Sequence, residues 1–301
     1  MKPTFIGIGA QKCASGWVYQ VLQDHPEAVV SDPKELNFFT YYYDRGYQWY
    51  ESFFAGAGHA QAVGENSPSY FYDPLAPTRA FRYNPDFRIV VTLRDPVERA
   101  FSNHLHGVRT GHIGGPDLSF ERGFANNEMY LYQSRYATHL KHWLRVFARE
   151  QILILLQEEI ADDPRGSAKK LYVFLGISAS HQSEFQNKRV NESADVHSRS
   201  LDTLFKAAGR AARRIGQAGM IKAAKENPLI AKIRETNKRD LRQVVPPMLP
   251  ATRAMLVREL TGELIELANL LGRSSFPWPT WQEIKALERP RVVKDTVLVD
   301  V

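Results

Sequence analysis

The sequence predicts a three-layer α/β fold, with a central parallel sheet flanked by helices. Three short, largely apolar runs at residues 5–9, 87–93 and 151–156 are each too short for a helix and are typical of buried strands. Helical patterns separate them, including residues 76–83 and 136–147. Strands that alternate with helices indicate a parallel sheet covered on both faces.

Length and composition favour one domain. The chain has 301 residues, 44% of them hydrophobic, which is enough apolar material for one large core. We predict a single domain over residues 1–301, with a helical insertion at about 199–242 and a tail at about 281–301. The insertion carries twelve Lys and Arg residues against four Asp and Glu residues. Such a segment attracts an anionic ligand or a lipid surface, or it presents solvated helix faces, and both interpretations stay open.

Cysteine content and N-terminal hydropathy bear on the cellular compartment. The single cysteine, Cys13, excludes a disulfide within the chain, and no N-terminal apolar run is long enough for a signal peptide or a membrane span. We therefore expect a cytoplasmic protein.

The formal charge of +6 is concentrated in residues 199–242, and we expect no nucleic-acid partner.

The loop after the first predicted strand has the composition of a phosphate-binding turn. Residues 10–17 place Lys12 among small residues, just before an amphipathic segment. A strand, a tight turn and a helix bind phosphate because backbone N–H groups and the helix N-terminus point at the anion. Lys12 precedes the small residues, whereas the kinase and NTPase loop needs Gly-Lys followed by Ser or Thr. The loop is therefore P-loop-like without matching that motif.

A second candidate phosphate contact follows the strand at residues 87–93. Arg94 lies at the strand exit, Asp95 can cap the next helix, and Pro96 suits its first position. Ser102 lies about two turns into that helix. Ligands of parallel sheets bind beyond the carboxyl ends of the strands, where a guanidinium and a hydroxyl can hold a phosphate. A helix cap with a surface arginine is the alternative interpretation.

With two phosphate-binding turns at two strand ends, the chain resembles the sulfotransferases that use 3′-phosphoadenosine-5′-phosphosulfate (PAPS). The resemblance makes residues 11–17 the loop for the 5′-phosphosulfate, and residues 94–96 with Arg99 and Ser102 the element for the 3′-phosphate. It continues in segments 33–39, 46–53, 64–71, 136–147, 174–176, 271–273 and 276–278. These segments look like the glycosaminoglycan-type branch and its bacterial relatives. The resemblance covers most of residues 1–280.

The resemblance implies sulfuryl transfer from PAPS to a hydroxyl of a small-molecule, lipid or carbohydrate acceptor. Adenosine 3′,5′-bisphosphate would be the product, and no metal is required. The cosubstrate-binding residues implied are Gln11, Lys12, Cys13, Ala14, Ser15, Gly16, Trp17, Arg94, Ser102 and Arg189. Lys12 would also be catalytic, because it can neutralise the charge that grows on the donor oxygens.

The resemblance also implies a general base. Glu35, on the turn after a presumed strand at residues 28–30, occupies the position of that base, although an acid at a helix N-terminus is the alternative interpretation. Lys34 beside it is a candidate contact to the sulfonate or the acceptor. His104 is a candidate substrate-binding residue and a competing source of a base.

Two departures from the family pattern leave other functions open. Ser15 is the only hydroxyl in the first loop, with Cys13 as a small buried thiol, and Asn66 stands where the animal glycosaminoglycan enzymes tend to have lysine. The missing lysine argues against a polysaccharide acceptor. The alternatives are an atypical P-loop small-molecule kinase and a catalytically silent nucleotide-binding protein.

Overall fold

The computed structural model describes residues 1–187, 194–196 and 238–288. Its contacts divide the chain into two compact units. Unit 1 comprises Met1–Asn103, Asn127–Val190 and Leu249–Val301, and unit 2 comprises His104–Asn126 and Asn191–Met248. Most of the predicted insertion at 199–242, and the tail beyond residue 288, lie outside the described residues. A single domain over the whole chain stays a prediction.

A five-stranded parallel sheet forms the centre of unit 1. The strands are β1 (Phe5–Gly9), β2 (Ala28–Val30), β3 (Ala62–Asn66), β4 (Arg88–Leu93) and β5 (Ile152–Leu156). Their order across the sheet is β2-β3-β1-β4-β5, and every neighbouring pair is parallel. The predicted α/β class and the strands near residues 5–9, 28–30, 87–93 and 151–156 are confirmed.

Strand β3 was not predicted from the sequence pattern. It contains Glu65 and Asn66, which weaken the apolar signal, yet all five of its residues are buried. Gly64 is needed at its centre, because a Cβ there would lie 2.1 Å from the Phe5 carbonyl oxygen of the neighbouring strand. Burial of polar side chains in a central strand requires partners for them, and the site described below supplies those partners.

Helices account for most of the remaining described structure. They are α1 (Ser15–Gln23), α2 (Gly46–Ser52), α3 (Ala76–Tyr83), α4 (Pro96–Thr110), α5 (Phe120–Ala125), α6 (Met129–Tyr132), α7 (Tyr136–Leu144), α8 (Gln157–Asp162), α9 (Pro164–Leu175), α10 (Pro250–Leu271) and α11 (Pro279–Glu288). The predicted helix at 76–83 has the expected bounds, and the one at 136–147 ends three residues early. None of the helices described is long and apolar enough to cross a membrane.

The core of unit 1 packs helices against the strands. Trp17 and Val21 of α1 and Leu171 of α9 pack in one cluster with Val90 of β4 and Leu155 of β5. Burial of these apolar side chains removes them from water and is the main term that stabilises the sheet. It also fixes where the strand ends, and therefore the loops beyond them, lie in space.

Unit 2 contains a short antiparallel pair in its described part. Strands β6 (Ala194–Val196) and β7 (Lys238–Asp240) pair with Asp195 opposite Arg239. Its other described residues include α5 and the ring of His104, which lies 5.7 Å from the ring of Phe120.

Candidate active site

The loop that follows β1 takes an unusual backbone course. Lys12 and Ala14 have φ of 67° and 66°, in the left-handed region that non-glycine residues rarely adopt. Ala14 is the N-cap of α1, and its carbonyl accepts from the N–H groups of Trp17 and Val18 at 2.9 and 3.3 Å. The N–H of Ser15 lies in the first turn, where an α-helix supplies no acceptor of its own. Such a turn is suited to an anion.

The exits of β1 and β4 are joined by hydrogen bonds. The Ala10 N–H donates to the Thr92 carbonyl at 2.6 Å, and the Thr92 hydroxyl donates to the Gly9 carbonyl at 3.2 Å. The two predicted phosphate-binding loops therefore leave the sheet side by side, as expected for adjacent parallel strands.

The side chain of Tyr136, in α7, contacts both of these loops. Its hydroxyl donates to the Arg94 carbonyl at 3.0 Å and lies 3.6 Å from the Cys13 sulfur. Burial raises the pKa of Cys13 to about 12, against the opposing effect of the Arg99 charge. The thiol is therefore neutral at physiological pH, which agrees with the small buried thiol expected from the sequence.

The turn after β4 is capped as predicted. The Asp95 carboxylate accepts from the N–H groups of Val97 and Glu98 at 3.0 and 3.1 Å, and α4 begins at Pro96. The Arg94 guanidinium lies 3.9 Å from the Glu98 carboxylate. The capped turn therefore fixes the backbone of Arg94 at the strand exit, and a weak ion pair with Glu98 holds its side chain.

Residues distant in the sequence also hold this turn. Thr280 donates its N–H and its hydroxyl to the Asp95 carboxylate, both at 2.8 Å. The Glu158 carboxylate accepts from the Asp95 N–H at 3.0 Å and from the Trp278 indole at 2.9 Å. The segment around Trp278 is part of the resemblance, whereas Thr280 and Glu158 were not predicted, because neither has a local sequence signal.

Arg99 has a different role from the one the resemblance implies. Its guanidinium is fully buried and donates to the Ser134 hydroxyl at 2.9 Å, the Gln133 side chain at 3.0 Å and the Tyr130 carbonyl at 2.5 Å. Because its donors are used inside the protein, Arg99 anchors the segment before α7 instead of presenting a charge to the 3′-phosphate.

The segment after β2 meets the first loop. The Lys34 ammonium lies 3.2 Å from the Ser15 hydroxyl and 3.2 Å from a Glu35 carboxylate oxygen. The Glu35 side chain is 47% exposed and that of Lys34 is 24% exposed. The structure thus brings the candidate base and the start of α1 together through one ammonium group, a proximity that the sequence did not show.

Asn66, at the end of β3, also contacts the start of α1. Its amide donates to the Ser15 carbonyl at 3.0 Å, and within the described part of the chain its buried Oδ1 has no hydrogen-bond partner. A Cβ at Gly7 would lie 2.6 Å from the Asn66 Cγ, so the neighbouring strand leaves room for this side chain only because it has glycine there.

Three other predicted site residues have different outcomes. Trp17 packs in the core and its indole donates to the Gln186 carbonyl at 3.0 Å, so its side chain is structural. His104 is fully buried, its Nε2 lies 2.9 Å from the Leu118 carbonyl, and burial lowers its pKa. A direct substrate contact by His104 is therefore not supported. Arg189 lies outside the described residues.

Gln11, Gly16 and Ser102 stay predicted binding residues. Ser102 lies in α4, two turns after the Arg94 exit, and is 7% exposed. Among the residues that the structure describes, no three His, Cys, Asp or Glu side chains form a group that could hold a metal ion.

This fold and site are typical of α/β proteins that bind a phosphorylated nucleotide at the strand ends. The sulfotransferase domain family matches residues 2–244 of the chain. The chain therefore belongs to the sulfotransferase family.

Individual relatives agree with this membership. The chain is 31% identical over 182 residues to heparan sulfate glucosamine 3-O-sulfotransferase 6 of Homo sapiens, covering 58% of this chain and 52% of the relative. It is 33% identical over 187 residues to the human 3-O-sulfotransferase 3B1, covering 58% and 46%. The chain spans about half the length of these curated relatives. The solved sulfotransferase from Alicyclobacillus acidocaldarius has a TM-score of 0.58 and 27% identity, covering 74% of this chain and 96% of that one.

Proposed function

We propose that this protein transfers a sulfuryl group from PAPS to a hydroxyl of a small-molecule, lipid or carbohydrate acceptor. The observation that carries the proposal is the position of Lys34, whose ammonium contacts both the Ser15 hydroxyl at the first loop and the Glu35 carboxylate. A cation and a base at the entrance of an anion-binding loop are what sulfuryl transfer requires. Family membership supports the same reaction.

The donor set of the site fits the anionic groups of PAPS. Lys12 and the first turn of α1 suit the 5′-phosphosulfate, and Arg94 with Ser102 suits the 3′-phosphate. The Tyr136 hydroxyl fixes one loop relative to the other, so a ligand with phosphates at both ends meets two prearranged sites. PAPS supplies an activated sulfuryl group on a phosphate leaving group.

The chain's own groups then have distinct tasks. Glu35 accepts the proton of the acceptor hydroxyl as the new oxygen–sulfur bond forms. Lys12 and Lys34 stabilise the negative charge that grows on the donor oxygens as the old sulfur–oxygen bond breaks. Lys34 contacts Ser15 and Glu35 at once, so its ammonium lies between the base and the donor loop.

The acceptor class rests on two indications. The curated relatives are named for a heparan sulfate glucosamine acceptor, which supports a carbohydrate. Asn66 is neutral where the resemblance expects lysine, which supports an acceptor that is less anionic than heparan sulfate.

A labelled-sulfate assay tests the proposal. Purified protein is incubated with labelled PAPS and an extract of the producing cell, and products are analysed by mass spectrometry for an added SO₃ group. We expect Lys12→Ala to abolish transfer and Arg94→Ala to weaken binding of adenosine 3′,5′-bisphosphate. The half-buried Lys285 and the exposed Arg82 lie outside the candidate site and provide controls as Lys285→Ala and Arg82→Ala.

Two results would contradict the proposal. Phosphoryl transfer from labelled ATP, without affinity for adenosine 3′,5′-bisphosphate, would indicate a kinase. Tight bisphosphate binding without transfer to any acceptor in the extract would indicate a silent binding protein.

A further inference from the structure

A buried carboxylate in β3 collects four hydrogen bonds. Glu65 is fully buried and accepts from the Leu36 N–H at 3.4 Å, the Ser67 hydroxyl at 2.5 Å, the Tyr50 hydroxyl at 3.4 Å and the Tyr70 hydroxyl. An ionised carboxylate has about four acceptor sites, so these donors saturate it. Burial raises the pKa of Glu65 to about 7, while these hydrogen bonds act in the opposite direction.

Two of these hydroxyls pass the interaction on to the backbone. The Ser67 oxygen accepts from the Asn37 N–H at 2.8 Å, and the Tyr70 oxygen accepts from the Phe38 N–H at 2.7 Å. A hydroxyl has one proton, so donating it to Glu65 leaves its lone pairs directed at the backbone. Together with the Leu36 N–H, three consecutive N–H groups depend on one carboxylate.

The segment that receives these hydrogen bonds begins one residue after Glu35. Residues 36 and 37 lie outside any helix or strand, so no regular ladder holds their backbone. Asn37 has φ of 51°, and its side-chain amide donates to the Glu35 carbonyl at 3.4 Å. The contact of Glu35 with Lys34 is a partly exposed ion pair, which by itself orients a side chain weakly.

We propose that Glu65 is a positioning residue, which fixes the backbone of residues 36–38 through Ser67 and Tyr70 and thereby aims Glu35 at the acceptor hydroxyl. The inference rests on the proposed function in taking Glu35 as the base. Glu65 itself is sealed in the core and does not touch substrate.

Two tyrosines provide a matched pair of variants. The hydroxyls of Tyr70 and Tyr50 both donate to Glu65, but the Tyr70 hydroxyl also accepts from the backbone of Phe38. Tyr70→Phe removes a relay to the segment, whereas Tyr50→Phe removes a donor without such a relay. Ser67→Ala removes the other relay, to Asn37.

The experiment combines hydrogen exchange with kinetics. Peptides covering residues 36–38 are followed by mass spectrometry, and kcat and KM for PAPS are measured with the cell extract as the acceptor pool. We expect Tyr70→Phe and Ser67→Ala to speed exchange in these peptides and to lower kcat by roughly tenfold, with KM and bisphosphate affinity within about twofold. Tyr50→Phe should leave exchange and kcat close to wild type.

The outcomes separate this inference from the proposed function. Unchanged exchange in both relay variants overturns it, whatever the activity. Faster exchange with unchanged kcat, or an equal loss of kcat in Tyr50→Phe, also overturns it. If the wild-type protein transfers no sulfuryl group, the proposed function fails, and the exchange data still decide whether Glu65 holds the segment.

Discussion

Tyr136 and Arg94 are joined by a hydrogen bond of 3.0 Å, from the phenolic hydroxyl to the main-chain carbonyl at the exit of β4. The same hydroxyl lies 3.6 Å from the Cys13 sulfur in the loop after β1. One side chain thus sets the spacing between the two loops proposed to hold opposite ends of the nucleotide.

Removal of this hydroxyl should weaken nucleotide binding. In Tyr136→Phe the ring still fills its site, but the loops lose a buried hydrogen bond worth about 1 kcal/mol. We expect affinity for adenosine 3′,5′-bisphosphate to fall roughly fivefold by isothermal titration calorimetry. Tyr132→Phe, whose hydroxyl donates to the Tyr72 carbonyl, is the control and should bind like wild type. Equal bisphosphate affinities in the wild type and both variants would show that the Tyr136 hydroxyl does not position the two loops for the nucleotide.

Replacement of the candidate base should separate binding from turnover. Glu35→Gln keeps the size of the side chain but cannot accept a proton, so we expect kcat to fall by about 10²-fold or more with bisphosphate affinity unchanged. The labelled-sulfate assay and calorimetry give the two numbers. The control is Glu27→Gln. Glu27 directly precedes β2, and its carboxylate accepts from the Ser178 N–H. Normal turnover in Glu35→Gln would exclude this residue from the mechanism.

The Asp95 cap should be a major contributor to stability. Asp95 accepts four hydrogen bonds, two from the start of α4 and two from Thr280, and it is buried. In Asp95→Asn an amide donor replaces an acceptor, and we expect a loss of about 2–4 kcal/mol in the free energy of unfolding. Urea unfolding measures this loss. The exposed Asp86→Asn should change stability by less than about 0.5 kcal/mol, and a similar small effect at Asp95 would contradict the account.

Cys13 should be chemically inert in the folded protein. Its pKa is raised to about 12 by burial, and alkylation requires the thiolate. At pH 8 we expect iodoacetamide to modify the native protein at least about a hundredfold more slowly than the protein in guanidinium chloride. Cys13 is the chain's single cysteine, so intact-mass spectrometry reads it directly. Rapid native alkylation would show that the loop opens or that the thiol is activated.

Glu65 should make stability depend on pH. Its pKa is raised from an ordinary 4.5 to about 7, so between these values the folded state binds the proton more tightly than the unfolded state. Protonation of Glu65 therefore contributes to the free energy of unfolding in full below pH 4.5. This contribution, at most about 3 kcal/mol, is lost as the pH rises to 7. The facing groups Tyr50 and Tyr70 have pKa values raised well above 10.0 and stay neutral in this range.

A comparison of variants isolates this effect. Urea unfolding of the wild type and of Glu65→Gln is measured at pH 5 and pH 8, and the difference between the two proteins should shrink or reverse at the higher pH. Other titrating groups cancel in this comparison because both proteins contain them. A difference that does not depend on pH would contradict a raised pKa at Glu65.

Several features were predictable because their causes are local. Strands β1, β4 and β5 follow from short apolar runs, and the Asp95 cap follows from Asp-Pro at a strand exit. Strand β3 escaped prediction because it buries Glu65 and Asn66, whose partners come from other parts of the chain.

Some predictions lie beyond the described structure. Arg189 and most of the basic segment at 199–242 lie outside the described residues, so their roles in nucleotide or membrane contact stay predictions. The cytoplasmic location stays a prediction as well.

By itself, the sequence determined the α/β class, the positions along the chain of β1, β2, β4 and β5, and the Asp95 cap after β4, because periodicity and capping act between near neighbours. Only the tertiary structure decided which side chains meet. Tyr136 reaches Arg94 across 42 residues, Leu36 reaches Glu65 across 29, and Thr280 reaches Asp95 across 185. Such contacts form only when packing of the whole core brings distant segments together, and no local pattern encodes them.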